Sequence, residues 1–297
     1  MRNQALVSII MNCHNGEKYL SDSLQSIINQ KYKNWELIFW DNCSIDNSRV
    51  IFKSFNEKRF RYFYSSKYTT LYKARNKAIT KAKGQYISFC DTDDMWIDNK
   101  LELQIRKFKN KKIGLVYSNY IIQNDIINKK KVFSKNILPE GDLKNLILKE
   151  YKIGILTVIL RRYFFTKEKF FFNNNYNIIG DFDLFLRLQR VTKFACVQQP
   201  LAIYRIHKNN FSIKNYNLHI VELENWLKSQ KILKHNQQVN FIIDKINYMK
   251  VLLQIYKGSK INALFRMSES PFSLNKIKLF IMLLVPLFIL KRIKDIN

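Results

Sequence analysis

The sequence predicts an α/β fold: a mostly parallel sheet flanked by helices, followed by a helical C-terminal extension. Three observations point there. In the first 120 residues, short runs rich in β-branched and aromatic residues alternate with stretches whose apolar residues recur at helical spacing. Three of those runs end in polar clusters, as the ligand-binding strand ends of open α/β sheets do. From Tyr216 onward helical periodicity takes over.

The strands expected in order are Leu6–Met11, Trp35–Trp40, Arg59–Tyr64, Tyr86–Cys90 and Ile113–Ser118. Leu20, Leu24, Ile27 and Ile28 form the apolar stripe of one intervening helix, and Leu101, Ile105 and Phe108 that of another. A third helix begins near Thr70, with Gly84 at its expected C-cap. "IIQNDIINKKKVF" reads as a hairpin, Ile155–Leu160 as a strand, and Asp181–Arg190 as an amphipathic helix with Leu184, Leu188 and Val191 inward. Ile203–His207 reads as a further strand, and Tyr216–Arg266 as wholly helical.

The tail carries twelve uncharged residues, Leu279–Leu290, among Lys276, Lys278, Lys291, Arg292 and Lys294. A membrane span needs about 20 apolar residues, and Pro286 interrupts this run, so an interfacial or re-entrant anchor over about 277–294 is expected. The alternative is a buried C-terminal helix. The expected division is a domain over 1–213 and a helical extension over 214–297.

Hydrophobic residues make up 47% and charged residues 25%, which excludes global disorder. The formal charge is +28, from 51 Lys plus Arg against 23 Asp plus Glu. Such an excess draws nucleic acid, an anionic membrane face or phosphorylated small molecules. Nucleic acid is not expected as a partner, because the lysines are spread and no helix-turn-helix, zinc-finger or RNP-like segment occurs. Four cysteines without CxxC spacing read as reduced thiols of a cytosolic protein, and the N-terminus enters a strand with no signal-peptide stretch. Neither GxGxxG nor GxxxxGK[ST] occurs, so a glycine cradle is not what would neutralise nucleotide phosphates.

"CDTDD" gathers Asp91, Asp93 and Asp94 at a strand end, where like charges repel unless a cation is seated there. An EF-hand is excluded, since its turn position, which demands Gly, is Trp96. A Mg²⁺ or Mn²⁺ ion shared with substrate phosphates fits better, because a departing diphosphate needs its charge offset. Cys13, Cys43, Cys90 and His14 match no zinc-module spacing.

Taken in order, "VSIIMNCHNGEKYL", "QKYKNWELIFWDNCSIDNS", "KARNKAITKAKGQYISFCDTDDMW", "GDFDLFLRL" and "YRIHKNNFS" resemble the inverting glycosyltransferases of family 2, which have the GT-A fold. The resemblance covers roughly residues 5–213. It implies nucleotide-sugar contacts from Asn12, His14, Asp41, Asn42, Arg75, Asp91 and Thr92, with Asn76 bracing a loop. Asn12, Cys13 and His14 stand where the family usually has Pro, Thr and Tyr, and Asn42 where it commonly has a second aspartate. It further implies that Asp93, with Asp91 and His207, holds Mn²⁺ or Mg²⁺, and that Asp181 is the general base that deprotonates the acceptor hydroxyl. Gly180 stands where relatives commonly have Glu. Asp183 is expected to face elsewhere, and Asp94 to cap a helix or support its neighbours.

The implied activity is transfer of a sugar from a nucleotide-sugar, expected to be a UDP-sugar, to a saccharide or lipid-linked acceptor for surface polysaccharide. The expected setting is the cytoplasmic face of a bacterial membrane, with its anionic surface as partner. A catalytically inactive scaffold of the same fold is the competing reading. Metal-dependent protection by UDP together with sugar release separates the two.

Overall fold

The computed structural model describes residues 4–230, 237–268 and 274–285. Among the described residues nine strands form one sheet: β1 (Val7–Cys13), β2 (Trp35–Asp41), β3 (Phe60–Tyr64), β4 (Tyr86–Phe89), β5 (Met95–Trp96), β6 (Ile113–Asn124), β7 (Lys129–Val132), β8 (Ile159–Arg161) and β9 (Lys193–Ile206). Their order is β3-β2-β1-β4-β8-β6-β9-β5, with β7 paired to β6. β1, β2, β3, β4, β6 and β9 run one way, while β5, β7 and β8 run against them. The α/β class and mostly parallel sheet expected from sequence are thus found.

β1 and β2 are buried along their whole length. Helices cover both faces, which is why these strands read as continuous apolar runs rather than alternating ones. On one face, Val7, Ile9 and Met11 of β1 and Leu37 and Phe39 of β2 pack with Leu20, Leu24 and Ile27 of α1 (Glu17–Ile28). Phe39 also meets Phe52 of α2 (Ser48–Ser54) at a ring separation of 4.3 Å. The opposite face is covered by α3 (Leu71–Ile79), which opens on a Thr70 side chain accepting from Lys73 N. Leu101 and Phe108 are buried along and just beyond α4 (Lys100–Lys107).

Some local expectations are corrected. α3 ends at Ile79 with Thr80 as its C-cap, so Gly84 is not the cap. A Cβ at Gly84 would stand 2.6 Å from Leu6 O and 2.7 Å from Ser8 N; glycine is there because the chain passes hard against β1. Ile155–Leu160 is not one strand: Ile155–Thr157 is a 3₁₀ turn, and β8 starts at Ile159. α5 (Lys144–Lys149) and α6 (Tyr163–Thr166) lie on either side of it. In α7 (Gly180–Leu188) Leu184 and Leu188 are buried as expected, but Val191 lies past the helix end and is 55% exposed.

The contacts divide the chain into two units. The first is Met1–Asn124, Lys129–Ile147 and Tyr151–Ile206; the second is Asp125–Asn128, Leu148–Glu150 and His207–Asn297. The second contains α8 (Phe211–Lys214), α9 (Tyr216–Ser229), α10 (Gln237–Tyr256), α11 (Lys260–Ser268) and α12 (Leu274–Leu284). Tyr216–Arg266 is therefore not one helical run: α10 and α11 are separated by a turn in which Gly258 takes φ +82°. Within this unit Val251, Ile255, Ala263, Met267, Leu279 and Leu283 pack together. No described helix is long and apolar enough to cross a membrane. The expected anchor is described only as far as Val285; Pro286 and the basic residues after it lie outside the described residues.

Candidate active site

The parallel strands β2, β1 and β4 end side by side, so the polar clusters that follow them come to one rim of the sheet. Cys90 N still donates to Ile10 O, and the chain then leaves the sheet as Asp91–Asp94. Asp91, Thr92 and Asp93 are half-buried and Asp94 is buried. The segment is clamped from several sides. The Ser23 hydroxyl of α1 lies 2.8 Å from Thr92 O and 2.6 Å from Asp94 O. A Cβ at Gly16 would stand 2.8 Å from Thr92 Oγ1, so the loop after β1 rests directly on Thr92. Arg205 Nε donates to Asp93 O at 3.2 Å, and Asp94 Oδ1 accepts from Arg205 N at 3.2 Å. Burial, reinforced by Asp93 and Asp91, pushes the Asp94 carboxyl well above the ordinary carboxylate range. Asp94 supports its neighbours from within the protein, as the sequence suggested.

Asp91 is held by Arg75, whose Nη2 donates to both carboxylate oxygens at 2.5 and 2.7 Å. The Arg75 guanidinium is buried and lies 5.1 Å from the centroid of the Tyr72 ring, one turn earlier on α3. The Tyr72 hydroxyl in turn donates to Asp181 Oδ1 at 3.0 Å. A continuous set of contacts, Asp91–Arg75–Tyr72–Asp181, therefore joins the cluster after β4 to the start of α7. Asp181 is half-buried, and its Oδ2 accepts from the Tyr151 hydroxyl at 2.8 Å. Burial raises its pKa; the Tyr151, Phe182 N and Tyr72 donors and the Arg75 charge oppose that rise. Asp183 turns aside and pairs with Arg187 at 2.9 Å. Asn76 braces the 172–174 loop, donating to Phe172 O and Asn174 Oδ1, each at 2.8 Å.

The other sequence-derived residues divide by exposure. His14 is exposed; its Nδ1 lies 3.0 Å from Asn42 O, and its ring is 4.5 Å from that of Tyr68. Asp41 is buried, accepting from Ser44 N at 2.8 Å and Tyr62 Oη at 2.6 Å. Asn42 is buried too: Nδ2 donates to Thr69 O at 2.8 Å, and Oδ1 accepts from Thr69 N and Oγ1. The side chains of Asp41 and Asn42 tie the turn after β2 to β3 and to the loop that carries Thr69. A base can use them only by sharing those atoms. Asn12 is buried in β1 and, among the described residues, its amide has no partner; neither has Nε1 of Trp40, its neighbour on β2. His207 opens the second unit, its N donating to Asn210 Oδ1 at 2.6 Å. It stands outside the unit that holds Asp91 and Asp93.

Among the described residues, no three His, Cys, Asp or Glu side chains gather into a metal cage. Asp91 and Asp93 fit the other kind of divalent site, in which one or two carboxylates hold Mg²⁺ or Mn²⁺ and substrate phosphates and water complete the shell. The cysteines are all free, and burial pushes the Cys13 and Cys90 thiols up, opposite to what zinc thiolates need. Sequence reading missed Tyr72, Tyr151 and Arg205. Tyr72 was open to detection, three residues before Arg75 on a short helix; Tyr151 carries no local signal.

A family model described as "Glycosyl transferase family 2" matches residues 8–188. WfgD of Escherichia coli, named a UDP-Glc:alpha-D-GlcNAc-diphosphoundecaprenol beta-1,3-glucosyltransferase, is 40% identical over 157 residues, 53% of this chain and 60% of its own. The putative teichuronic acid biosynthesis glycosyltransferase TuaG of Bacillus subtilis is 32% identical over 53% of this chain and 62% of its own. This chain thus spans less than two-thirds of the length of those two relatives. WfaP of Escherichia coli, which carries the same activity name as WfgD, is 30% identical over 82% of this chain and 93% of its own. In structure, S. aureus TarS in complex with UDP superposes with a TM-score of 0.60 at 15% identity, over 90% of this chain and 75% of that one. The mannosyltransferase PcManGT of Pyrobaculum calidifontis, in complex with GDP-Man and Mn²⁺, gives 0.62 at 12% identity, over 94% and 79%. At those identities the likeness establishes the GT-A fold and nothing finer.

Proposed function

Because this chain belongs to glycosyl transferase family 2, we propose that it moves a sugar from a UDP-sugar to a lipid-linked saccharide during bacterial surface-polysaccharide synthesis, with inversion at the anomeric carbon. The observation that carries this reading is the set of contacts from Asp91 through Arg75 and Tyr72 to Asp181. It brings a donor-side carboxylate and a candidate base to the two ends of one short helix face. Asp93 and Asp91 would hold Mn²⁺ or Mg²⁺, which, when bound, offsets the charge that builds on the departing diphosphate. Arg75 fixes the Asp91 carboxylate through its two hydrogen bonds, and Asp181 takes the proton of the acceptor hydroxyl. His14 and Tyr68 offer an exposed aromatic pair for the base, with Asp41 and Asn42 holding the loops beneath it. Asn12 and Thr92 stand at the same rim.

Uridine is favoured as the base, and a diphosphoundecaprenol-type carrier for the acceptor, by the names of WfgD and WfaP. Incubation with a panel of nucleotide sugars is expected to release sugar from one UDP-sugar only when Mn²⁺ or Mg²⁺ is present, and Asp93→Ala is expected to abolish that release. UDP protection against heat without any sugar release, across the panel and with lipid-linked acceptors present, would favour the inactive-scaffold reading.

The second unit supplies the membrane-facing surface of this proposal. α11 and α12 bury Ala263, Met267, Leu279 and Leu283 yet leave Ile261 (82%), Phe265 (70%) and Leu284 (71%) exposed, together with Phe280 and Ile281. Helices apolar on their outer side as well, in a chain of charge +28, suit the interface of an anionic leaflet on the cytoplasmic side. Vesicles containing phosphatidylglycerol are expected to float the protein, with neutral vesicles weaker. Phe265→Glu with Phe280→Glu is expected to leave it at the bottom of the gradient. Undiminished flotation of that variant would remove α11 and α12 as the contact.

A further inference from the structure

Asp181 has more partners than a solvent-facing base needs. Among the described residues, Oδ1 accepts from both the Tyr72 hydroxyl (3.0 Å) and Phe182 N (2.9 Å), while Oδ2 accepts only from the Tyr151 hydroxyl (2.8 Å). An ionised carboxylate offers about four lone-pair positions, two on each oxygen. Three are occupied here. Beside this group, Gly180 has no room for a side chain: a Cβ would meet three Tyr72 ring carbons at 2.4, 2.6 and 2.6 Å. The ring cannot easily yield, because it lies under the Arg75 guanidinium and 4.9 Å from the Phe172 ring.

We propose that Tyr72 and Tyr151 are positioning residues that fix the Asp181 carboxylate so that one position on Oδ2 is left for the acceptor hydroxyl, and that residue 180 is glycine because the Tyr72 ring occupies the space beside it. This rests on the reading of Asp181 as base. The acceptor O–H proton passes to Oδ2 while its oxygen bonds to the anomeric carbon. The bond from that carbon to the donor diphosphate breaks, and its electron pair leaves with the diphosphate. Tyr72 can follow this change without losing a partner. Its hydroxyl also lies 3.3 Å from Ile178 O, a second acceptor for its one proton once Asp181 is neutral. Among the described residues, Tyr72 and Arg75 from α3 and Tyr151 from the segment before the 3₁₀ turn are the titratable or charged groups acting on Asp181. Both phenols titrate well above the ordinary tyrosine range, so they stay protonated donors across the assay range.

The test compares Tyr72→Phe, Gly180→Ala and Asp181→Asn with wild type, measuring kcat and KM for the UDP-sugar from pH 5 to 9. Tyr72→Phe keeps the ring and removes one donor to the carboxylate. Its acid limb of kcat is expected to move up by about one pH unit with KM for the UDP-sugar unchanged. Gly180→Ala adds a methyl into the ring and is expected to lower kcat at least tenfold while UDP and Mn²⁺ still raise its melting temperature. Asp181→Asn separates this inference from its premise. Turnover retained in Asp181→Asn removes the base itself. An inert Asp181→Asn, beside a Tyr72→Phe whose pH profile is unmoved or a Gly180→Ala of full activity, overturns the positioning role alone.

Discussion

Asp181→Asn is expected to lower transfer by about 10²–10⁴-fold, the usual worth of a placed general base. Asparagine has nearly the shape of aspartate, so the α7 start and the loops around it should remain. It cannot accept a proton at neutral pH. Its amide must also point a donor at either Tyr72 or Tyr151, both of which donate to the wild-type carboxylate. Asp91 and Asp93 lie on a different loop and are untouched, so metal-dependent protection by UDP should persist. The pairing of lost transfer with retained nucleotide binding is the signature. Loss of both would mean that the substitution disturbed the Tyr72–Arg75–Asp91 contacts rather than the chemistry.

The second large effect concerns stability. Lys100 opens α4 with its side chain wholly buried. Its ammonium donates to Ser88 Oγ at 3.2 Å and lies 4.0 Å from the Trp96 ring centroid, and among the described residues no carboxylate pairs with it. Burial pulls its pKa down from 10.5 to about 7. The unfolded chain keeps this proton up to its ordinary pKa, whereas the folded chain releases it above about 7. Folding is therefore penalised in full below that point, and stability rises with pH from there toward 10.5, by up to about 1.4 kcal/mol per pH unit. Lys100→Met preserves length and removes the charge. It is expected to stabilise the protein at pH 6 by on the order of 3–5 kcal/mol, with the gain shrinking toward pH 9. Urea denaturation of both proteins at several pH values checks this, and the difference between them cancels the cysteines and tyrosines that titrate at the upper end. Parallel curves would mean that Lys100 keeps a charged partner.

The fold was legible because each of its signals is local. Parallel central strands must be apolar on both faces, so "LVSIIM" and "WELIFW" announce themselves, and Thr70 marks the start of α3 by its own side chain. Gly84 misled for a physical reason. A glycine after a helix reads as a cap, but the constraint here is the Leu6–Ser8 backbone, whose Leu6 O would lie 2.6 Å from a Cβ at Gly84, and no window of sequence contains that approach. Gly258 was the glycine that broke a helical run, and its positive φ cannot be told from sequence apart from a tolerated interior glycine.

The candidate site was legible in its charged residues and not in its polar supports. Asp91, Arg75 and Asp181 belong to motifs, whereas Tyr151 reaches Asp181 across thirty positions of chain with no periodicity. Asp41 and Asn42 add what residue type and spacing do not carry: both are buried, and their side chains bond Tyr62 and Thr69. Type and spacing name the groups that can do chemistry; partners decide which of them are open to a substrate.

In the proposed transfer the carboxylates after β4 would seat a cation on a nucleoside diphosphate, with Asp181 facing the sugar from beyond Tyr72. Crystals grown with UDP and MnCl₂ and measured at the manganese absorption edge test it most directly. One anomalous peak is expected, touching Asp93 or Asp91 and the diphosphate, with the open side of Asp181 Oδ2 turned toward the diphosphate's outer end. A peak away from both aspartates, or an Asp181 carboxylate turned from the bound nucleotide, would contradict it.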